Sequence, residues 1–286
     1  MSIIEDIKLQ YKIGGVANKV IYWNVAIFLI SLIFYKFKEL QFVFPHWISL
    51  ATNPKEVLYF PWTLLTYAFL HSGFWHLFIN MMVLNFSSRL FLTFFTQKQF
   101  LGLYLLSAIF AGLTFVIVFY FMNVNTSIVG ASAAVMAILV ATTTYQPLME
   151  IRLFLLGNVK LWHLTGVIIL LDTMQVLAEN SGGHITHLAG AVFGIIYIKL
   201  LQNGTDLSTI VTNTINFFSN LVAKKSTTSF KKIHVNPKKP TVKRESKIVI
   251  KDKSQQQIDE ILDKISQSGY DSLTTQEKEF LFKAGK

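Results

Sequence analysis

The groups in this sequence that could do chemistry are a serine, an asparagine and several histidines, all set in strongly apolar stretches. His76 and Asn80 stand at the head of one apolar run, Ser132 lies near the start of another, and His187 lies near the start of a third. A serine hydroxyl is a weak nucleophile at neutral pH and needs an adjacent base, which a neutral imidazole can supply. Serine attack on an acyl group creates a negative oxygen that needs preorganised donors. These residue types therefore indicate acyl transfer, provided that the fold brings them together.

The spacing in the first apolar run favours a shared target for two side chains. Asn80 follows His76 by one helical turn, which places it only about 40° further around the helix. His71 falls further around, nearer the expected mouth of the site. We expect His76, Asn80 and the backbone N–H of Ser132 to be candidate donors to a developing oxyanion.

The third apolar run carries a histidine above a groove of glycines. His187, Gly190 and Gly194 fall within about 60° on one helical face. The run that contains Ser132 has its own stripe of small residues at i, i+4 and i+8, namely Ala133, Ala137 and Ala141. Helices with such small residues can approach closely in membranes. Close approach would bring Ser132 to His187, with Ser132 about five residues into its helix.

Composition indicates a membrane protein. The chain has 286 residues, is 52% hydrophobic, contains 25 Phe and has a mean hydropathy of +0.46. It contains no cysteine, which excludes disulfides, thiolate nucleophiles and thiolate metal sites. The net charge of +10 is concentrated after residue 223, where it favours a cytoplasmic tail near anionic lipid over nucleic acid binding. No nucleic acid partner is expected.

The apolar runs predict six membrane crossings within residues 20–201. Each is close to the ~20 residues that a crossing needs, the fourth being short; they cover residues 20–37, 74–95, 100–122, 127–144, 161–176 and 184–201. An even number of crossings puts both termini on one side, and the distribution of Lys and Arg in the connections makes that side cytoplasmic. We therefore expect a multi-pass protein of a plasma or inner membrane, with His71 at the outer face.

The segments that flank these crossings have distinct patterns. Residues 1–19 are a cytoplasmic segment without the features of a removable signal peptide. Residues 202–222 predict an interfacial amphipathic helix. Residues 223–253 hold eleven Lys or Arg against two acidic residues, which predicts a disordered basic linker. Residues 254–286 predict a small helical pair, with a capping box over 274–277.

At these residues the chain resembles the rhomboid intramembrane serine proteases. The pattern is His-x4-His-x3-Asn at 71, 76 and 80, Gly-x-Ser at 130–132, and His-x2-Gly-x3-Gly at 187, 190 and 194. The resemblance covers roughly residues 20–201. It implies an all-α membrane bundle of six helices, followed here by the partly disordered tail and its helical pair.

The resemblance also implies roles for individual residues. Ser132 would be the nucleophile and His187 the general base, as a dyad without a buried Asp. His76 and Asn80 would line the oxyanion hole. The residues expected to be structural and near the site are His71, Gly130, Gly190 and Gly194. Cleavage would occur at a transmembrane segment of another protein, without a cofactor or a metal, and no pattern specifies the client or an oligomeric state.

Two departures from the family pattern keep an alternative open. The family usually has Gly after the serine, where this chain has Ala133; the first loop keeps a Trp at Trp62 but lacks the Arg that usually follows. A catalytically inactive rhomboid-like scaffold that binds transmembrane clients is therefore a second interpretation.

A third interpretation is metal or haem binding by imidazoles, from His71, His76, His184 and His187. Asp172 has no role in any of these interpretations.

Overall fold

The computed structural model describes residues 2–35, 37–38, 41–153, 157–176, 181–222 and 253–284. The chain divides into two compact units, Met1–Ser226 and Thr227–Lys286. The described residues are mainly helical, and their strands form three short antiparallel pairs. This agrees with the predicted all-α class.

The first unit contains ten helices within the described residues. They are α1 (Ile3–Ile13), α2 (Gly15–Phe34), α3 (Pro54–Tyr59), α4 (Thr63–Thr66), α5 (Phe74–Leu92), α6 (Gln97–Phe121), α7 (Ser132–Tyr145), α8 (Leu161–Val176), α9 (Ser181–Gln202) and α10 (Ser208–Val222). A 3₁₀ turn over Tyr67–Phe69 follows α4. The strands are β1 (Phe37–Lys38), β2 (Gln41–Phe42), β3 (Leu50–Ala51), β4 (Ser127–Ile128), β5 (Glu150–Leu153) and β6 (Gly157–Lys160).

Three of the described helices are long and apolar enough to cross a bilayer: α2, α6 and the part of α9 from Gly182. The helices α7 and α8 are apolar but have only 14 and 16 residues. The helices α2, α5, α6, α7, α8 and α9 correspond in order to the six predicted crossings. Three crossings thus meet the criterion of length and composition, and the chain is an integral, multi-pass membrane protein.

Several predicted element boundaries differ from the observed ones, and two of the differences lie at the ends of the bundle. The first helix of the bundle begins at Gly15, five residues before the predicted start, and a separate helix α1 precedes it. The side chain of Ser2 accepts a hydrogen bond from the backbone of Glu5, whose carboxylate accepts from the backbone of Ser2, so a capping box starts α1. The predicted amphipathic helix over 202–222 begins at Ser208 instead, because α9 continues to Gln202 and a turn follows.

Helix α7 lies at the centre of the first unit. Every residue from Ala133 to Thr142 is buried, so this helix is covered by its neighbours on all sides. Its small side chains let α9 and α6 approach closely. A helix that is apolar all round and buried all round is a core element rather than an amphipathic surface helix.

Polar groups connect the helices within this apolar unit. The fully buried hydroxyl of Tyr104 on α6 donates to the Ala68 carbonyl and accepts from the Asn24 amide of α2. The Tyr67 hydroxyl donates to the Ala108 carbonyl at 2.8 Å. Because an unpaired buried polar group is costly, these bonds favour one arrangement of the helices.

The start of α10 is held against α6 by Asp206. One carboxylate oxygen of Asp206 accepts from the Ser208 backbone at 2.8 Å, and the other accepts from the Gln99 side chain at 3.1 Å. Burial alone would raise the pKa of this carboxyl, but the hydrogen bonds from Ser208 and Gln99 outweigh it and lower the pKa. A Cβ at Gly102 would lie 2.6 Å from the Ser208 Cβ, so only glycine allows this approach.

The second unit contains a helical pair, as predicted. Its elements are α11 (Lys253–Ser268), a 3₁₀ turn (Tyr270–Ser272) and α12 (Thr275–Ala284). The capping box is confirmed, because the Thr274 N–H donates to the Glu277 carboxylate at 2.7 Å and the Glu277 N–H donates to the Thr274 hydroxyl at 3.4 Å. The linker predicted over 223–253 lies outside the described residues except for Lys253, which begins α11.

A salt bridge joins the two helices of the pair. The Lys264 ammonium donates to both oxygens of Glu277, at 2.9 and 3.0 Å. These bonds, together with those from Thr274, lower the pKa of Glu277 to about 2. The buried apolar contacts of the pair come from Ile261 and Leu273.

Candidate active site

The histidine and asparagine motif lies at the start of α5. Helix α5 begins at Phe74 after the cap residue Gly73, so His71 precedes the helix instead of lying on it. The expectation that His71 lies nearer the mouth was wrong: its side chain is fully buried, and its ring packs edge-on against His76 with centroids 5.2 Å apart. His71 therefore supports His76 from behind.

The contacts of His76 determine which of its nitrogens carries the proton. The backbone N–H of Ser72 donates to His76 Nδ1 at 3.3 Å, and the Ser72 hydroxyl lies 3.0 Å from the same atom. Because a backbone N–H can only donate, Nδ1 must be the acceptor, and a neutral His76 then carries its proton on Nε2. His76 Nε2 is therefore a donor.

His76 Nε2 is aimed at the segment before Ser132. A Cβ at Gly130 would lie 3.0 Å from His76 Nε2 and 3.5 Å from the Ser132 hydroxyl oxygen. Gly130 has a φ of +139°, a conformation that side chains rarely adopt, and its N–H donates to the Tyr67 carbonyl at 2.9 Å. Glycine at 130 thus leaves room between the His76 donor and the serine.

Asn80 lies one turn below His76 on α5. Its side-chain N–H donates to the His76 carbonyl at 2.8 Å, and the residue is 7% exposed. A carboxamide has two N–H donors, so one remains for another acceptor. Asn80 and His76 line the same cavity as Ser132 and His187.

Ser132 is the first residue of α7, and the expectation that it lies about five residues into its helix was wrong. The residues before it form β4, which pairs antiparallel with β3 in the register Leu50 with Ile128 and Ala51 with Ser127. This pairing holds the chain extended up to the glycine turn. The N–H groups of the first helical turn have no partner within the helix, and the helix dipole makes this end positive. A negative oxygen next to Ser132 would be stabilised by both effects.

The predicted close approach of α7 and α9 is observed. A Cβ at Gly190 would overlap the carbonyl oxygen of Ala133, and a Cβ at Gly194 would overlap the carbonyl oxygen of Ala137. The two backbones are therefore in direct contact over a full turn, beginning one residue after Ser132. His187 lies three residues before Gly190 on the same helix, at the level of Ser132.

Ser132 and His187 lie between two cavities of opposite character. A cavity of about 450 Å³ is lined mainly by apolar side chains of α5, α7 and α8, among them Ile79, Met136 and Ile168. A second cavity, of about 600 Å³, is more polar and is lined by Ser72, Ser127 and Thr186 among others. Ser132, His76 and His187 line both. No hydrogen bond joins the Ser132 hydroxyl to His187 in the described part of the chain.

Asp172 of α8 contacts His187 directly. Its Oδ1 lies 3.0 Å from His187 Nδ1 and 2.6 Å from His184 Nδ1. The dyad that the resemblance implied contains no aspartate, so this contact is a difference from that expectation. Asp172 was visible in the sequence as an ionisable residue within an apolar run, which is a signal of function. Its partners could not be identified, because they lie on another helix.

These three residues are also the described group that could hold a metal ion. The ligand atoms of Asp172, His184 and His187 lie within 4.8 Å of one another. The grouping differs from the four histidines considered from the sequence, because His71 and His76 belong to the other side of the site. In the observed arrangement each Nδ1 bonds to the carboxylate instead.

Comparison with known protein families places the chain in one of them. The family model of the Rhomboid domain matches residues 60–203, which is half of the chain and includes His76, Asn80, Ser132, Asp172 and His187. The chain therefore belongs to the rhomboid family.

A named relative and a second family model extend this result. The chain is 35% identical over 159 residues to the presenilin-associated rhomboid-like protein, mitochondrial, of Bos taurus. The aligned part covers 52% of this chain and 40% of that protein, so the chain spans less than half the length of this relative. Residues 249–283, which include α11 and all but the last residue of α12, match a family of unknown function, DUF6576.

Proposed function

We propose that this protein is an intramembrane serine endopeptidase that hydrolyses peptide bonds in or near transmembrane segments of other membrane proteins. The observation that carries the proposal is the position of Ser132 at the N-terminus of α7, between an apolar and a polar cavity that His187 also lines. Membership of the rhomboid family supports it.

The reaction uses the serine and the histidine as nucleophile and base. Ser132 Oγ attacks the scissile carbonyl while His187 Nε2 takes its proton. His187 then returns this proton to the leaving amine, and a water molecule hydrolyses the acyl-enzyme by the same steps in reverse. The tetrahedral oxyanion is bound by the Ser132 backbone N–H, by His76 Nε2–H and by the free N–H of Asn80.

The two cavities correspond to the two reactants. An apolar peptide segment fits the cavity between α5 and α8, where polar backbone groups of the segment can reach only the donors at Ser132. Water enters from the polar cavity over Ser72 and Thr186. Neither a cofactor nor a metal is required for this chemistry.

Labelling with a fluorophosphonate probe tests the proposal without a known client. We expect the purified protein in detergent to be labelled, and Ser132→Ala and His187→Ala each to abolish labelling. The matched control is Ser107→Ala, which removes another buried hydroxyl within a helix of the same unit. A folded wild type that resists the probe, while a control serine hydrolase reacts, would contradict the proposal.

An inactive scaffold is the second candidate, and two observations favour it. Ala133 stands where the family usually has glycine, and its side chain is buried. In the part of the chain that the structure describes, the hydroxyl of Ser132 also makes no direct hydrogen bond to His187. Bonds of this kind are often long in the absence of substrate and tighten in the complex, so we retain the protease as the first candidate.

We further propose six crossings with both termini in the cytoplasm. The chain has no cysteine, so single cysteines can report the side of the membrane without background. A cysteine at Asn125 should react with an impermeant maleimide from outside, and one at Asn203 should not.

We propose transmembrane clients and anionic lipid as partners, with the lipid at the basic residues after 223. Binding that does not change between neutral and anionic vesicles would contradict the lipid assignment.

A further inference from the structure

We propose that Asp172 is a positioning residue for the general base. This inference rests on the proposed function, since it assigns a role to a neighbour of His187. Asp172 accepts the Nδ1–H of His187 and so presents the lone pair of Nε2 to Ser132. The family pattern carried by Ser132 and His187 does not include this residue.

The first argument is the direction of the hydrogen bond. A carboxylate has no proton to donate, so at Asp172 Oδ1 both histidine Nδ1 atoms must be donors. A neutral imidazole has one N–H, and His187 therefore has an unprotonated Nε2. A general base needs this tautomer, because the opposite one would direct an N–H at the serine hydroxyl.

The second argument is the free-energy cost of burying the Asp172 carboxylate in an apolar helix. Asp172 is 6% exposed on a 16-residue apolar helix, where an ionisable side chain is expensive. Its Oδ2 is buried and has no partner among the described residues. The two histidines are therefore the described groups that hold the carboxylate, which points to a role at these histidines and not in the packing of α8.

The third argument is the placement of His184. It lies one turn before His187 on α9 and shares the same oxygen of Asp172. The hydrogen bond from His184 limits rotation of the Asp172 carboxylate. The carboxylate cannot turn away from His187 without also breaking its bond to His184, so α8 and α9 must move together. The other titratable groups described in the lining of the two cavities are His76 of α5, which is oriented by Ser72, and Tyr67, whose hydroxyl donates to the Ala108 carbonyl. The carboxylate is thus the one anion described at the site, and it stabilises the imidazolium that forms when Ser132 attacks.

The experiment measures fluorophosphonate labelling kinetics of the full chain in detergent. We expect Asp172→Ala to lower the saturating labelling rate constant by about 10²-fold, the lower end of what a general base contributes. The half-saturating probe concentration should change by less than about threefold, because a residue that positions the base acts on the chemical step and not on the binding of the probe. Asp172→Asn keeps the shape of the side chain and should also be slow. Asp172→Glu restores the charge and should regain about tenfold over Asp172→Ala.

Thermal stability separates positioning from a structural role. Because an ionised carboxylate is costly in an apolar helix, the melting temperature of Asp172→Asn should be unchanged or higher while its labelling falls. Thr173→Val is the matched control, because among the described residues the exposed Thr173 hydroxyl bonds only to the Ile169 carbonyl of its own helix, at 2.7 Å. This variant should label at the wild-type rate.

Four results would overturn the inference. Asp172→Asn that labels as fast as wild type would show that His187 needs no partner. Loss of labelling in parallel with loss of stability, without rescue by Asp172→Glu, would show a structural role. Labelling that a chelator abolishes would place a metal on the Nδ1 atoms. A folded wild type that is not labelled at all would refute the proposed function together with this inference, whereas the first three results refute the inference alone.

Discussion

The contact between α7 and α9 makes Gly190→Ala the most informative single substitution. A Cβ at this position would lie 2.9 Å from the Ala133 carbonyl carbon and closer to its oxygen, whereas ordinary contact begins at 3.4 Å. The helices must therefore separate by more than half an ångström. Because the obstacle is backbone, no side chain can rotate away.

The expected size of the effect follows from this overlap. Overpacking of a core costs about 1–3 kcal/mol. A loss of about 2 kcal/mol lowers the melting temperature by roughly 4–8 °C in a unit of this size. Ala133 follows Ser132 directly, so separation also moves the serine away from His187. Since a misplacement of about 1 Å can cost 10²-fold in rate, we expect labelling of Gly190→Ala to slow by about tenfold.

Two other glycines provide matched comparisons for this variant. At Gly194 a Cβ would lie 3.2 Å from the Ala137 carbonyl carbon, so Gly194→Ala should destabilise the protein but, one turn further from Ser132, slow labelling less than Gly190→Ala. At Gly166 a Cβ would meet no atom of the described residues within 4 Å. Gly166→Ala should raise stability slightly, by about 0.5–1 kcal/mol. Wild-type stability in Gly190→Ala would refute the close packing, and loss of stability without slower labelling would refute the coupling to Ser132.

Three further substitutions test other parts of the structure. Asn80→Ala should slow labelling by at most about 10³-fold, as the loss of one oxyanion donor does; an unchanged rate would remove Asn80 from the hole. Gly102→Ala should displace α10 from α6, because its Cβ would overlap Ser208, and proteolysis between α9 and α10 should become faster. In the second unit the pKa of Glu277 is lowered from 4.5 to about 2 by Lys264 and Thr274. The ionised Glu277 carboxylate should therefore contribute fully to the stability of the helical pair above pH 4.5, and this contribution should be lost as the pH falls to 2. A spin-label pair on α11 and α12 should report this loss. Glu277→Gln should remove the pH dependence.

Much of the helical framework was predictable because apolar runs determine it directly. The predicted starts of the second and fifth crossings coincide with α5 and α8, and the capping box at Thr274 was found from spacing alone. The stripe of small residues was also sufficient to predict that α7 and α9 touch. Each of these features depends on residues close together in sequence, or on a pattern that two helices repeat.

The missed features depend on contacts between distant residues. The start of α7 at Ser132 is set by the pairing of β4 with β3, more than seventy residues earlier in the chain. Two-residue strands leave no periodic signal, so residues 127–131 were read as part of the helix. Asp172 and His184 were each visible as polar residues, but their contact depends on how α8 packs against α9. The donor state of His76 likewise depends on a backbone N–H, that of Ser72, which residue types cannot reveal.

The shortness of α7 explains how an apolar helix can present a serine to water. Its 14 residues span about 21 Å at 1.5 Å per residue, whereas the hydrocarbon core of a bilayer is about 30 Å thick. If its C-terminus reaches one surface, Ser132 lies roughly 9 Å below the other. The remaining depth is covered by β4 and the glycine turn at Gly130, and irregular backbone is tolerated at that depth where it lines a polar cavity. A full-length helix would have carried Ser132 into its interior, where its N–H would be bonded within the helix and closed to an oxyanion. The pairing of β3 with β4 therefore contributes to the proposed chemistry, because it ends the extended chain just before Ser132, whose backbone N–H must stay free for the oxyanion.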